Sequence, residues 1–169
     1  LDPVGVAAHE DHVVELRERV RLLLHVANWE GRAAGLGAVG APLETAVDDR
    51  LHTEVIFYDP CLATVGFTEQ QARDRGMDVI TASVRVAETG RAITMDVQHG
   101  AMKLVARRDS GELLGAQLLM PRADDLIHII GAILTMRGTA AQMLQMPWYH
   151  PTLAEVLLSL ARDLESQRA

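Results

Sequence analysis

Six consecutive residues, His150-Pro151-Thr152-Leu153-Ala154-Glu155, bring together the residue types that acid–base chemistry needs. An imidazole exchanges a proton near neutral pH, and a carboxylate bonded to one ring nitrogen holds it in one tautomer and makes the other a better proton acceptor. Glu155 is close enough along the chain to be that carboxylate. The same residues also have a plainer explanation. Pro151 ahead of a helix, Thr152 as its N-cap and Glu155 three residues on form a capping box, and His150 is then a turn residue. The two roles can coexist, because the two carboxylate oxygens could divide the cap and the imidazole between them.

Three other patterns were weighed against plainer alternatives. Gly35-Leu36-Gly37-Ala38-Val39-Gly40 satisfies the bare glycine pattern of a dinucleotide-binding turn. It follows helical periodicity instead of a strand and Pro42 comes soon after, so a glycine-rich helix end is the preferred reading. His9-Glu10-Asp11-His12 lacks the four-residue step of helical metal ligands and a third donor, and reads as a solvated polar stretch. Cys61, beside Pro60, has no neighbouring base and no resolving partner, and is expected to be a half-buried inert thiol.

The elements that must position these groups follow from periodicity. Val13, Leu16, Val20, Leu23 and Leu24 recur at helical steps, so one or two helices are expected between Val13 and Gly40. Gly40 to Arg50 reads as a linker, with a boundary near Leu51. Short β-rich runs, Glu54 to Tyr58 and Leu62 to Phe67, are followed by a helix capped by Thr68 with Gln71 and ended by Gly76. Val79 to Val86 is a further strand, and Ala101 to Arg107 with Leu113 to Met120 flank a hairpin turn at Arg108 to Glu112. Arg122 to Met136 and Pro151 to Leu164 have helical spacing, with Gly138 placed as a C-cap and Thr139 opening a short helix between them. The expected fold class is α+β, an antiparallel sheet with helices mainly on one face.

Composition narrows the function classes. The 169 residues are 49% hydrophobic and 23% charged, which is ordinary globular composition. The net charge of −7, without a Lys/Arg stripe, argues against a nucleic-acid partner. A single cysteine excludes an internal disulfide and a vicinal redox pair within the chain, and fits a reducing, cytoplasmic setting. No apolar run is long enough to span a bilayer, and residues 1–10 do not resemble a secretory signal. The absence of an initiator Met leads to the expectation of a processed or excised chain.

Phe57-Tyr58-Asp59-Pro60-Cys61-Leu62-Ala63-Thr64-Val65-Gly66-Phe67-Thr68-Glu69 resembles the entry to the dimerisation domain of the pyridine nucleotide-disulfide oxidoreductases, a family that includes mercuric reductase, dihydrolipoamide dehydrogenase and glutathione reductase. Gly100 to Val105, Gly111 to Ala116, Ala123 to His128, and His150-Pro151-Thr152 with Glu155 follow in the family's order. Together they cover about 115 residues, the size of one domain. Leu24 to Ala34 resembles the last helix of the family's FAD-binding region. The resemblance therefore implies residues 1–50 as a helical arm or linker from the end of that region, and residues 51–169 as the dimerisation domain.

In such enzymes NAD(P)H reduces FAD, FAD reduces a cysteine pair, and a His supplied by the other subunit is acid/base for the thiols. By resemblance, His150 takes that role, Glu155 is the carboxylate that orients it, and Pro151 and Thr152 shape the turn. This chain lacks the family's FAD fingerprint, its two-cysteine motif and its NAD-binding unit. It is therefore expected to bind no cofactor and to be inactive alone, with FAD and NAD(P)H implied for the full-length enzyme. Cys61 stands where an acid usually follows Asp-Pro, and the C-terminal cysteines of mercuric reductases are absent after Leu164. The expected partner is a second copy, in a homodimer whose FAD- and NAD(P)-binding regions lie in cis or in trans. The alternative is a separate subunit that completes the active site of a flavoprotein encoded elsewhere.

Overall fold

The computed structural model describes residues 24–40 and 49–168, and its packing separates the chain into two units, Leu1–Asp49 and Arg50–Ala169. In the first unit α1 spans Leu24–Ala38, with Val26 and Ala33 buried. The helical periodicity expected from Val13 onward is met over this stretch. Its earlier part, His9 to His12, and nearly all of the expected linker lie outside the described residues.

The second unit is built on alternation. Strands β1 (Thr53–Ile56), β2 (Leu62–Gly66), β3 (Val79–Arg85), β4 (Ala101–Arg107) and β5 (Leu113–Leu119) form one antiparallel sheet in the order β1-β2-β5-β4-β3. Successive side chains on a strand point to opposite faces. Ala63, Val65, Ala82, Met102, Leu104, Ala116 and Leu118 thus share the face that forms the main core. The other face carries Thr64, Gln117, Lys103 and Ser83 in one cross-strand row, and Leu62, Leu119, Ala101 and Arg85 in the next.

Three helices complete the main core: α4 (Ala123–Thr135), α5 (Ala140–Leu144) and α6 (Val156–Ser166). Leu126, Ile127, Ile130 and Leu134 form the apolar stripe of α4, and Val156, Leu157, Leu160 and Leu164 that of α6. Burying each such side chain stabilises the fold by about 1.5–3 kcal/mol. On the opposite face a smaller cluster of Phe67, Ala72, Val79, Val105 and Leu114 includes Ala72 of α2 (Glu69–Asp74). The Thr68–Gln71 capping box predicted for α2 is complete, and Gly76 follows at φ +74°.

Two local expectations need correction. The left-handed residue that ends α4 is Arg137, at φ +52°, and not Gly138. Gly138 instead donates its N–H to the carbonyl of Ile133 at 2.8 Å, the outer bond of a Schellman ending. A Cβ there would come within 2.6 Å of Ile133 Cγ2, so the packing of the helix end excludes a side chain. The second correction is a missed element, α3 (Gly90–Thr94), preceded by a 3-10 turn at Val86–Glu88. Five residues are too few for a helical hydrophobic period to show.

Candidate functional site

The segment Met146–Glu155 carries the chain from α5 to α6, and it is held at its base by Trp148. The indole Nε1 donates to the carbonyl of Met143 at 2.8 Å, while the half-buried ring packs against the main core. Tyr149 and His150 then stand exposed. The His150–Pro151 bond is cis, as is Asp59–Pro60.

His150 and Glu155 meet. Nδ1 of the imidazole lies 2.8 Å from Oε2 of the carboxylate, with the His side chain 76% exposed and the Glu side chain 21%. A neutral ring donating Nδ1–H to Oε2 presents a lone pair at Nε2. When Nε2 takes up a proton, the imidazolium is formed beside a carboxylate that balances its charge. The arrangement therefore suits a group that accepts and returns a proton at Nε2 to something approaching from solvent.

The helix that follows starts later than expected. α6 begins at Val156 and not at Pro151, and its first turn is tightened by i to i+3 bonds, Leu157 N to Ala154 O at 3.0 Å and Leu158 N to Glu155 O at 2.9 Å. Thr152 does accept from the Glu155 N–H, at 3.2 Å. The Glu155 side chain, however, is bonded to His150 and makes no return bond to Thr152 among the described residues. The two carboxylate oxygens do not divide the two tasks: Oε2 meets the imidazole, and Oε1 does not turn back to the Thr152 N–H.

The other sequence candidates do not join this site. Cys61 is half-buried, with Sγ 3.6 Å from the carbonyl of Ile56. Gly35 and Gly37 lie inside α1. The helix C-terminus, where carbonyls and not N–H groups project, repels a pyrophosphate, so this segment does not fit a dinucleotide. Among the described residues no three His, Cys, Asp or Glu converge to hold a metal ion. No described helix is long and apolar enough to cross a membrane.

Two features escaped sequence reasoning. One is Trp148, whose only local signal was an aromatic residue between Pro147 and Tyr149, without periodicity around it. The other is a polar cluster on the second face of the sheet, where Lys103 Nζ lies 2.6 Å from Glu69 Oε2, and Arg73 donates to Glu69 Oε1 through Nε and Nη2. Hydrogen bonds from Lys103 and then Arg73 hold the Glu69 carboxyl below the usual range. Lys103 and Glu69 are 34 residues apart, and no local pattern relates them.

Residues 52–161 match the dimerisation domain of the pyridine nucleotide-disulphide oxidoreductases. The chain belongs to that family. It is 39% identical over 139 residues to a dihydrolipoyl dehydrogenase of Geobacillus stearothermophilus, which covers 82% of this chain and 29% of that protein. To a dihydrolipoyl dehydrogenase of Haloferax volcanii it is 32% identical over 155 residues, 92% of this chain and 32% of the relative. Among solved structures, LpdA of Mycobacterium tuberculosis superposes with a TM-score of 0.79 at 25% identity, over 86% of this chain and 32% of LpdA. The disulfide reductase RclA of Escherichia coli, an HOCl-induced flavoprotein, superposes with a TM-score of 0.63 at 28% identity, over 66% of this chain and 26% of RclA. The chain thus spans about a third of the length of the relatives it matches, and its α+β sheet is the fold of the family's dimerisation domain.

Proposed function

We propose that this chain is the dimerisation part of an FAD-dependent NAD(P)H:disulfide oxidoreductase, pairs with a second copy of itself in the cytoplasm, and lends His150 across the interface as acid/base for the partner's redox thiols. The observation that carries this reading is the 2.8 Å contact between a half-buried Glu155 and a largely exposed His150. The half-buried carboxylate fixes the ring from one side, and the exposed ring leaves Nε2 to meet a thiol that this chain does not itself supply. Residues 51–169 form the dimerisation domain and residues 1–50 the end of an FAD-binding region. The family match over residues 52–161 and the division of the packing at Asp49 support that partition.

FAD, where present, accepts hydride from NAD(P)H and passes electrons to a disulfide. The glycine-rich end of α1 does not fit its pyrophosphate, and the contribution proposed for this chain is the interface and the proton at His150. Alone it is inactive. A chimera tests the reading, with the matched region of the Geobacillus stearothermophilus dihydrolipoyl dehydrogenase replaced by the corresponding residues of this chain. The chimera should bind flavin, sediment as a dimer and reduce lipoamide. His150→Gln should lower turnover by about 10² to 10⁴ with the dimer intact. Equal turnover in the two proteins would remove His150 from the mechanism.

A further inference from the structure

We infer that Thr152 is a positioning residue, whose hydroxyl holds His150 and Glu155 in register and so selects the ring nitrogen that faces solvent. The inference rests on the reading of His150 and Glu155 as a working pair. Thr152 Oγ1 donates to the carbonyl of Tyr149 at 2.9 Å and accepts from the N–H of Glu155 at 3.2 Å. One hydroxyl thereby ties the residue immediately before His150 to the backbone of the residue that carries the carboxylate. The imidazole is 76% exposed, and its bond to Glu155 is the one polar contact that orients it among the described residues. An exposed ring has little packing to fix its angle, so the Nδ1 to Oε2 distance depends on where the backbones at Tyr149 and Glu155 sit. Both are held by Thr152.

The tether has a fixed end as well. Trp148, with its indole bonded to the Met143 carbonyl, anchors the chain one residue before Tyr149. The loop is thus pinned to α5 by Trp148 and closed on itself by Thr152, and His150 is the residue carried between the two. Removing the hydroxyl leaves the Tyr149 carbonyl and the Glu155 N–H to water. The ring is then free to turn, and the neutral imidazole populates both tautomers.

The test is the ¹⁵N chemical shift of the two ring nitrogens of His150 in the full chain, measured above the range in which imidazole is protonated and assigned by the signals lost in His150→Gln. The wild-type chain should show a protonated Nδ1 and a lone-pair Nε2. Glu155→Ala, which removes the acceptor of Nδ1–H, should move both nitrogens toward the average of free imidazole. Thr152→Val should do the same, and Thr152→Ser, which keeps the hydroxyl, should restore the wild-type shifts. If Thr152→Val does not fold, the contrast between Thr152→Ala and Thr152→Ser decides on the same terms. Wild-type shifts in the Val or Ala variant, or a Ser variant that fails to restore them, would overturn the role of Thr152 while leaving the pair intact. Averaged shifts in the wild-type chain, or no change with Glu155→Ala, would instead sink the pair itself.

Discussion

In the β4–β5 hairpin Met102, Leu104, Ala116 and Leu118 are fully buried, and the turn between the strands is fastened to the end of α6 by Arg168, which donates to the carbonyls of Arg108 and Asp109 at 3.0 and 2.9 Å. In the Met146–Glu155 segment Tyr149 and His150 are exposed, and the segment is fastened by burial of Leu153, the Trp148 indole bond and the Thr152 hydroxyl. The hairpin directs its side chains inward and is complete within the chain. The loop uses Glu155 to hold an exposed imidazole. If His150 has the proposed role, stability and chemistry are carried by different residues of one domain, and substitutions should divide accordingly.

The sharpest division is expected from Leu118→Ala. Leu118 is fully buried in the sheet face beneath α4, and truncating it should cost about 2–5 kcal/mol through lost transfer energy and the cavity left behind. Urea unfolding followed by far-UV circular dichroism would show this as a lower midpoint at unchanged slope. A loss below about 1 kcal/mol would mean that the core closes over the gap, and that the hairpin is less tightly specified than its burial indicates.

A smaller effect is expected at the start of α2. Thr68 accepts from the Gln71 N–H at 3.2 Å and Gln71 answers at 2.9 Å. Thr68→Ala should therefore cost about 1 kcal/mol. The Thr152 hydroxyl lacks the reciprocal half of this motif but donates to the Tyr149 carbonyl as well as accepting from the Glu155 N–H, so Thr152→Ala should cost about as much as Thr68→Ala. No loss in the same urea curves would show that the Thr152 tether positions the loop without contributing to folding.

Much of this architecture was legible in the sequence. β4 and β5 follow from two apolar runs around Arg108 to Glu112, because a hairpin needs only alternation and a turn, and both are local. The box at Thr68 and the helix start at Thr139 were readable for the same reason, though the reciprocal bond between Thr139 and Gln142 was not read from the sequence. The start of α6 was not, since capping preferences treat the helix as the sole claimant on Glu155 and the imidazole of His150 is a competitor that periodicity does not represent. Lys103 is a charged residue inside an apolar strand whose partner, Glu69, is brought near only by the tertiary fold. His150 and Glu155 were legible as a pair because five residues separate them. The tether from Trp148 to Met143 was not, because an indole N–H finds its acceptor only after α5 has formed.

The Lys103–Glu69–Arg73 cluster gives the folded region a pH signature. Hydrogen bonds from Lys103 and Arg73 lower the Glu69 carboxyl in the native state. A carboxyl depressed on folding contributes stability at pH values above its unfolded range, and that contribution is lost as pH falls through the depressed folded value. The difference in urea midpoint between the wild-type chain and Glu69→Gln should thus be largest near neutrality and shrink below the ordinary carboxylate range. A difference that does not change with pH would mean that Glu69 acts through packing alone.

The smallest effect should come from His150, the residue proposed above as the proton-transfer group. His150→Gln removes a side chain that is 76% exposed and, among the described residues, bonded only to Glu155, so the stability of the isolated chain should change by less than about 0.5 kcal/mol. Gln can still donate to the carboxylate, which leaves Glu155 partnered and isolates the loss of the imidazole. Set beside Leu118→Ala in one urea series, this variant reads the comparison directly: a large midpoint shift in the hairpin and almost none in the loop. If His150→Gln instead lowered the midpoint as far as a core truncation, the imidazole would be part of what holds α5 to α6. The exposed pair would then be a structural fastening, and the case for a proton-transfer group at this position would lose its physical basis.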